Sequence, residues 1–239
     1  MNVAIIFAGG VGKRMHSKST PKQFLKLNGK PIIIYTLEVF QNCPEVDAIC
    51  ISCLESHISY MEKLCRKFEI TKVKWVVPGG ATGQESIFNG LSAVHHDCPE
   101  DTVVMMHDGV RPIITEDLLQ RNIASVHEHG SAVSCSYATE TPAEINEDGQ
   151  IVSISRRKDA VIAKAPQSFY LHEIYAAHLE ARKLGLTEFI DSASMMRHFG
   201  HTLYMVESAW DNIKITTPSD YYIFKAIIEA KENSLIFGL

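Results

Sequence analysis

Short apolar runs alternate along this chain with segments whose apolar residues recur at helical spacing. Val3 to Phe7 is continuously apolar, which suits a parallel strand buried on both faces and central in its sheet. Pro31 opens a helix with Ile33, Leu37 and Phe40 on one face, and Pro44 closes it. Val46 to Cys53 predicts a second strand, followed by a helix over Ser56 to Phe68. Val73 to Val77 predicts a third, ending at Pro78-Gly79-Gly80, and from near Gln84 a helix turns Ile87, Leu91 and Val94 inward. Thr102 to Met106 is a fourth buried strand, leading into His107-Asp108-Gly109-Val110-Arg111-Pro112. Thr115 is placed to cap a helix with Leu119, Ile123 and Val126 inward.

The pattern breaks at residues 139–164, where polar, β-branched runs flank a turn at Glu147-Asp148-Gly149. A hairpin or arm projecting from the sheet is expected, of a kind that serves dimer contacts. Beyond Pro166-Gln167-Ser168-Phe169 come a helix from Leu171 to Leu184, a short helix from about Asp191, a strand at Thr202 to Val206, and Asp211-Asn212-Ile213-Lys214. Thr217 and Pro218 start a final helix with Ile223, Ala226, Ile227 and Ala230 as its inner face. Alternating strands and helices predict an α/β fold: a doubly wound, mostly parallel twisted sheet with helices on both faces. Its site should lie at the strand carboxyl ends, where loops 8–14, 78–83 and 107–112 fall. No linker interrupts residues 1–239, which read as one domain with the arm as a subdomain.

At 239 residues and 46% hydrophobic, the chain can bury a full core. A net charge of -5 gives no reason to expect nucleic acid or an anionic membrane as partner, so the cations act locally. The N-terminus enters a strand without a signal-peptide pattern and no apolar run is long enough for a membrane helix, so a cytoplasmic protein is expected. Of the cysteines, only Cys50 and Cys53 have C-x-x-C spacing; inside a strand they face opposite sides, and all six are expected as reduced thiols.

Residues 2–26 hold the clearest chemistry. The first strand empties into Ala8-Gly9-Gly10-Val11-Gly12, followed by Lys13, Arg14, Lys18 and Lys22. A Walker A loop fails here, because Phe7 and Arg14 stand where glycine and Ser/Thr are required. The dinucleotide fingerprint fails at Met15. What remains is a loop whose backbone N–H groups can approach a phosphate chain, with Arg14 and Lys22 to neutralise it. The second loop, Gly79-Gly80-Ala81 with Ser86, is either a simple turn or a surface on which a planar base is read. Asp108, at a central strand's end facing the phosphate loop, is a natural Mg²⁺ ligand, whereas His107 reads as structural. Lys214 follows Asp211-Asn212 in an apolar run, where an ammonium needs an anion such as a phosphate. Arg156-Arg157-Lys158 reads, from spacing alone, as a solvated face.

Together the blocks Ala8 to Met15, Pro21-Lys22-Gln23-Phe24, Gly79-Gly80 with Ser86, His107 to Pro112, Pro166 to Phe169 and Asp211 to Thr216 resemble the cytidylyltransferases that activate sugar-alcohol phosphates. The resemblance runs from residue 2 to about 232 and implies a Rossmann-like nucleotidyltransferase fold. It implies that Ala8, Gly9, Gly10, Gly12 and Lys13, with Arg14 and Lys22, hold the CTP triphosphate, and that Gly80, Ala81 and Ser86 read cytosine. Asp108 would serve Mg²⁺ and the substrates, and Lys214 the α-phosphate. In a homodimer the arm would present Glu140, Thr141 and Arg157 to the partner's acceptor, a polyol phosphate, near Asp191. The chain departs from the family pattern at Ala165, where threonine is usual, and at Ile190-Asp191-Ser192, both near the acceptor pocket. Of two acceptors, D-ribitol 5-phosphate is expected over 2-C-methyl-D-erythritol 4-phosphate, because Gly9-Gly10 and Val110 look more like the ribitol type. A regulatory protein that binds nucleotide without transfer would not require Asp108, Lys22 and Lys214 together.

Overall fold

The computed structural model describes residues 1–10 and 20–237, with backbone alone for 234–237. The first apolar run becomes β1 (Asn2–Ala8), in which Val3 and Ile5 pack to one face of a sheet and Ala4 and Ile6 to the other, all fully buried. Burial on both faces is what a run without alternation requires. A short ribbon follows, β2 (Lys26–Leu27) and β3 (Lys30–Pro31), turned at Asn28 and Gly29, and then α1 (Ile32–Asn42). The next units are β4 (Ala48–Cys53), α2 (Ile58–Lys67), β5 (Val73–Pro78), α3 (Gly83–Asp97), β6 (Val103–Asp108) and α4 (Glu116–His129). Thr115 caps α4 as expected, its hydroxyl accepting from Leu118 N, and Gly130 closes that helix in the left-handed region at φ 81°.

The second half adds β7 (Ser131–Tyr137), the arm strands β8 (Ala143–Ile145) and β9 (Ile151–Ile154), β10 (Val161–Tyr170), α5 (Leu171–Lys183), α6 (Ser192–His198), β11 (Met205–Glu207) and α7 (Pro218–Phe237). Among the described residues the main sheet has seven strands in the order β11-β7-β10-β6-β1-β4-β5. β10 runs antiparallel to β6 and β7, and the other pairings are parallel. Two strands depart from the sequence reading, which assigned neither β7 nor the sheet portion of β10. β7 carries buried Ser134 and Ser136, and β10 tolerates Pro166 only because the register with β7 shifts between Ala163 and Gln167.

One core layer joins the sheet to α1, α2 and α4, and the other joins it to α3, α5 and α6. Cys53 belongs to the first layer and Cys50 to the second, as their strand spacing requires. The six cysteines are unpaired, and burial pushes the Cys50 thiol up to about 12. A third cluster seats α7 on Leu27, Ile32, Val110 and Ile215 through Phe224. The expected inner face of α7 is therefore corrected. Phe224 with Tyr221, Ile227 and Ile228 faces in, while Ile223, Ala226 and Ala230 face out. Tyr221 settles this rotation by donating its hydroxyl to Lys26 O at 2.7 Å. The chain order reverses between β1 and β6, so the crevice of a parallel sheet opens at their carboxyl ends, beyond Ala8 and Asp108.

Candidate active site

Gln23 is buried and donates its side-chain amide to Ala8 O at 2.7 Å, which ties the chain returning from the first loop to the end of β1. That tie sets Lys22 along Gly10, whose added Cβ would lie 3.8 Å from Lys22 Cε. Gly12, Lys13 and Arg14 lie outside the described residues. The two glycine loops touch: a Cβ on Gly79 would lie in ordinary contact with Gly9 Cα at 3.5 Å, while a Cβ on Gly9 or on Gly79 would crowd Ser86 Oγ at 3.1 or 3.2 Å. Ser86 Oγ accepts from Gly80 N at 3.0 Å and donates to Thr82 O at 2.9 Å. Ala81 N donates to Glu85 Oε2 at 2.7 Å, and Thr82 caps α3. Gly80, Ala81 and Ser86 thus form one knitted loop, with Glu85, absent from the sequence reading, as its clasp. Ala8, Gly9, Gly10, Lys22, Gly80, Ala81, Ser86, Asp108 and Lys214 line one cleft of about 200 Å³.

Asp108 ends β6 with its carboxylate buried between two cations. Lys214 Nζ lies 2.6 Å from Oδ1, and Arg111 Nε lies 3.2 Å from Oδ2. Burial would raise this carboxyl, but the Lys214 ammonium and the Arg111 guanidinium together hold it below the usual carboxylate range. Arg111 also donates to Asn212 O at 2.8 Å, which ties the loop carrying Lys214 to the end of β6. His107 donates Nε2 to Arg111 O at 3.0 Å, and burial pushes its ring down to about 4, so it is a neutral brace for this loop. Arg111 was legible only as a member of the motif; its position three residues after an acid at a strand end is the local signal of the pair.

Asp108 and Lys214 also line a second cleft, of about 410 Å³, where they meet Arg111, Lys164, Gln167 and Asp191. The clefts share Phe7, Thr82, Gly83, Asp108 and Lys214, so the Asp108–Lys214 pair stands at their junction. Asp191 lines the second cleft, but its carboxylate is already engaged: Oδ1 caps α6 through Ser194 N and Oδ2 accepts from Gln167 Nε2, each at 2.8 Å. Gln167 in turn accepts from Ala193 N, so the Pro-Gln pair anchors this wall. Ala165 and Ile190, the atypical positions, both line the same cleft. Glu140, Thr141 and Arg157 lie exposed on or beside the arm and line neither cleft of their own chain. Among the described residues no three His, Cys, Asp or Glu side chains converge as a metal cage. Asp108 is a single carboxylate donor, which fits a Mg²⁺ held largely by substrate phosphates.

A crevice at the sheet's switch point, floored by two glycine loops and joined through a Lys–Asp pair to a cleft that carries Arg111 and Lys164, defines a nucleotidyltransferase type of site. Residues 2–230 match the model of the IspD family, 2-C-methyl-D-erythritol 4-phosphate cytidylyltransferase, and the chain belongs to that family of cytidylyltransferases. Its relatives include ribitol-5-phosphate cytidylyltransferases of Streptococcus agalactiae, 48% identical over 239 residues, and of Vibrio parahaemolyticus, 49% identical over 238 residues, each covering 100% of both chains. A 2-C-methyl-D-erythritol 4-phosphate cytidylyltransferase of Clostridium botulinum is 36% identical over 228 residues, 95% of this chain and 97% of that protein. The fold is shared with 4-diphosphocytidyl-2C-methyl-D-erythritol synthase from Anaerococcus prevotii, at TM-score 0.83 and 24% identity over 95% of this chain and 96% of the other. It is shared also with the Francisella tularensis 2-C-methyl-D-erythritol 4-phosphate cytidylyltransferase, at TM-score 0.76 and 26% identity over 94% and 99%.

Proposed function

We propose that this enzyme transfers CMP from CTP to D-ribitol 5-phosphate, giving CDP-ribitol and pyrophosphate. The observation that carries the reading is the position of Lys214, on the wall common to both clefts. A triphosphate laid over the glycine loops and a phosphate seated by Arg111 and Lys164 would meet at that ammonium. The choice of acceptor is supported by the full-length similarity to ribitol-5-phosphate cytidylyltransferases at 48–49% identity, against 36% for the methylerythritol relative.

In the reaction an oxygen of the acceptor phosphate attacks the α-phosphorus of CTP. The bond from that phosphorus to the oxygen bridging it to the β-phosphate breaks, and pyrophosphate leaves. A phosphate monoester's second pKa is about 6, so the nucleophile is already largely dianionic near neutral pH and needs no general base. The chain's task is to align two polyanions and to neutralise growing charge. Lys22 and Arg14 act on the β- and γ-phosphates, and Lys214 acts on the α-phosphate, exchanging Asp108 for it as nucleotide binds. Asp108 would then hold Mg²⁺ together with the phosphates; the ion, when bound, supplies positive charge to the phosphate oxygens.

Asp191 orients the acceptor wall through Gln167. The arm is read as crossing to a second copy of the chain, bringing Glu140, Thr141 and Arg157 to that copy's acceptor cleft. Ile145, Ile151, Val152 and Ile154, each 61–67% exposed on the arm, support a covered face there. Residues 1–239 are read as one domain acting in the cytoplasm; among the described residues no helix is long and apolar enough to cross a membrane. The test is pyrophosphate release from CTP and Mg²⁺ with ribitol 5-phosphate or methylerythritol 4-phosphate supplied separately. Release with ribitol 5-phosphate is expected, and release with neither acceptor would discard the substrate assignment.

A further inference from the structure

α5 presents Ile174, Ala177 and Ala181 to the core layer shared with α3 and α6, and among them stands a histidine. His178 is 1% exposed, and neither ring nitrogen has a hydrogen-bond partner among the described residues. Buried polar atoms are nearly always paired, so two orphan nitrogens on one ring require an explanation. His178 lines the 410 Å³ cleft together with Ile87, Met106 and Met195 and with Thr82, Gln84 and Thr187, none of which bonds its ring. It also lines a groove that contains Phe88 and Arg182 but neither Asp108 nor Lys214, so it marks the end of the cleft away from those charged groups.

Burial pushes the imidazole down to about 4, with Arg182 adding to the effect, and the ring is neutral near pH 7. A neutral imidazole offers one N–H and one bare nitrogen, and an alcohol group has the matching donor and acceptor. A polyol chain needs hydroxyl partners, and the wall common to the cleft and the groove carries Thr82, Gln84 and Thr187 beside His178.

We propose that His178 determines acceptor specificity by hydrogen-bonding a hydroxyl of the acceptor's carbon chain, at the end remote from its phosphate. This rests on the reading of the 410 Å³ cleft as the polyol-phosphate site. An acceptor that lacks the matching hydroxyl leaves the ring buried and unpaired, which is how a buried polar group discriminates strongly.

The test compares wild type, His178→Leu and His178→Gln, using CTP with ribitol 5-phosphate and with analogues each lacking one hydroxyl. Wild type is expected to lose about 10- to 100-fold in kcat/KM with one particular deoxy analogue. His178→Leu should lose a similar factor with ribitol 5-phosphate, lose nothing further with that analogue, and keep its KM for CTP. His178→Gln, which retains a donor and an acceptor, should recover part of the loss. Unchanged kcat/KM in His178→Leu, or an equal loss with every acceptor, would overturn the proposal. Wild type inactive with ribitol 5-phosphate would overturn the parent reading as well, and that failure shows before any variant is made.

Discussion

Replacing Lys214 by methionine separates what the Asp108 cluster does for folding from what it does for chemistry. The substitution keeps the aliphatic stem and removes an ammonium 2.6 Å from Asp108 Oδ1. Breaking a fully buried ion pair costs about 3–5 kcal/mol. The Lys214 side chain is 41% exposed, however, and Arg111 remains on the other carboxylate oxygen. Solvent screening and that second partner reduce the expected loss to about 1–2 kcal/mol. For a chain of this size it lowers Tm by about 2–8 °C, so the variant stays folded at 25 °C. The effect on turnover should be larger. Removing one donor aimed at charge that develops in the transition state costs about 10²–10³-fold in kcat. Pyrophosphate release at saturating CTP and ribitol 5-phosphate measures it, with circular dichroism checking the fold. A folded variant with kcat within about threefold of wild type would refute the assignment of Lys214 to the α-phosphate.

Three further outcomes follow from the same geometry. His107 and His178 have rings pushed down to about 4 by burial, from an ordinary value of 6.5, so the unfolded chain takes up their protons first. Their contribution to stability is complete above about pH 6.5 and is lost as pH falls towards 4. Urea unfolding at pH 7 and pH 5 should therefore differ by about 2 kcal/mol per histidine, and His178→Leu should flatten the profile; an unchanged profile in that variant would contradict the sign. Gly90→Ala would place a Cβ 2.7 Å from Ile5 Cγ2 and 2.9 Å from Ser52 Oγ. Overpacking costs about 1–3 kcal/mol against about 1 kcal/mol of helix propensity gained, so Tm should fall by a few degrees, and a rise would show that α3 can move freely off the sheet. If the arm completes a partner's site, mixed dimers of Lys214→Met and Arg157→Ala should regain about a quarter of wild-type activity on re-association, because half the dimers are hybrids with one intact site each. No recovery in confirmed hybrids would place Arg157 outside the partner's cleft.

The parts of the site that the residues disclose directly are those held by the backbone at strand ends. Ala8 to Gly10, Asp108 and Lys214 declare themselves, because a glycine or an ion after an apolar run has few structural uses, whereas Gly79-Gly80 reads equally as a simple turn until the fold sets it beside Gly9. What escaped the pattern is polar and buried. β7 and the sheet part of β10 hide because Ser134 and Ser168 are paired internally with Asn122 of α4, so residues that look solvated line the core. The rotation of α7 was illegible for the opposite reason: Tyr221 to Ile228 is apolar on several sides, and the choice among them is made by tertiary contacts, the hydroxyl bond to Lys26 O and the packing of Phe224 on Tyr35, Leu27 and Ile215. Glu85 has no signal of its own and Arg111 stands only as a member of its motif until the fold shows one clasping Ala81 N and the other beside Asp108. His178 carried no sequence signal of its own, since it stands among Ile174, Ala177 and Ala181 on the buried face of α5.

The most direct test of the account is a competition, in which one reaction with CTP contains ribitol 5-phosphate and 2-C-methyl-D-erythritol 4-phosphate at equal concentration. The ratio of CDP-ribitol to CDP-methylerythritol at low conversion, read by mass spectrometry, is the ratio of kcat/KM values. CDP-ribitol is predicted to dominate by at least about tenfold. A product pool dominated by CDP-methylerythritol would contradict the assignment of this chain to the ribitol phosphate branch of its family.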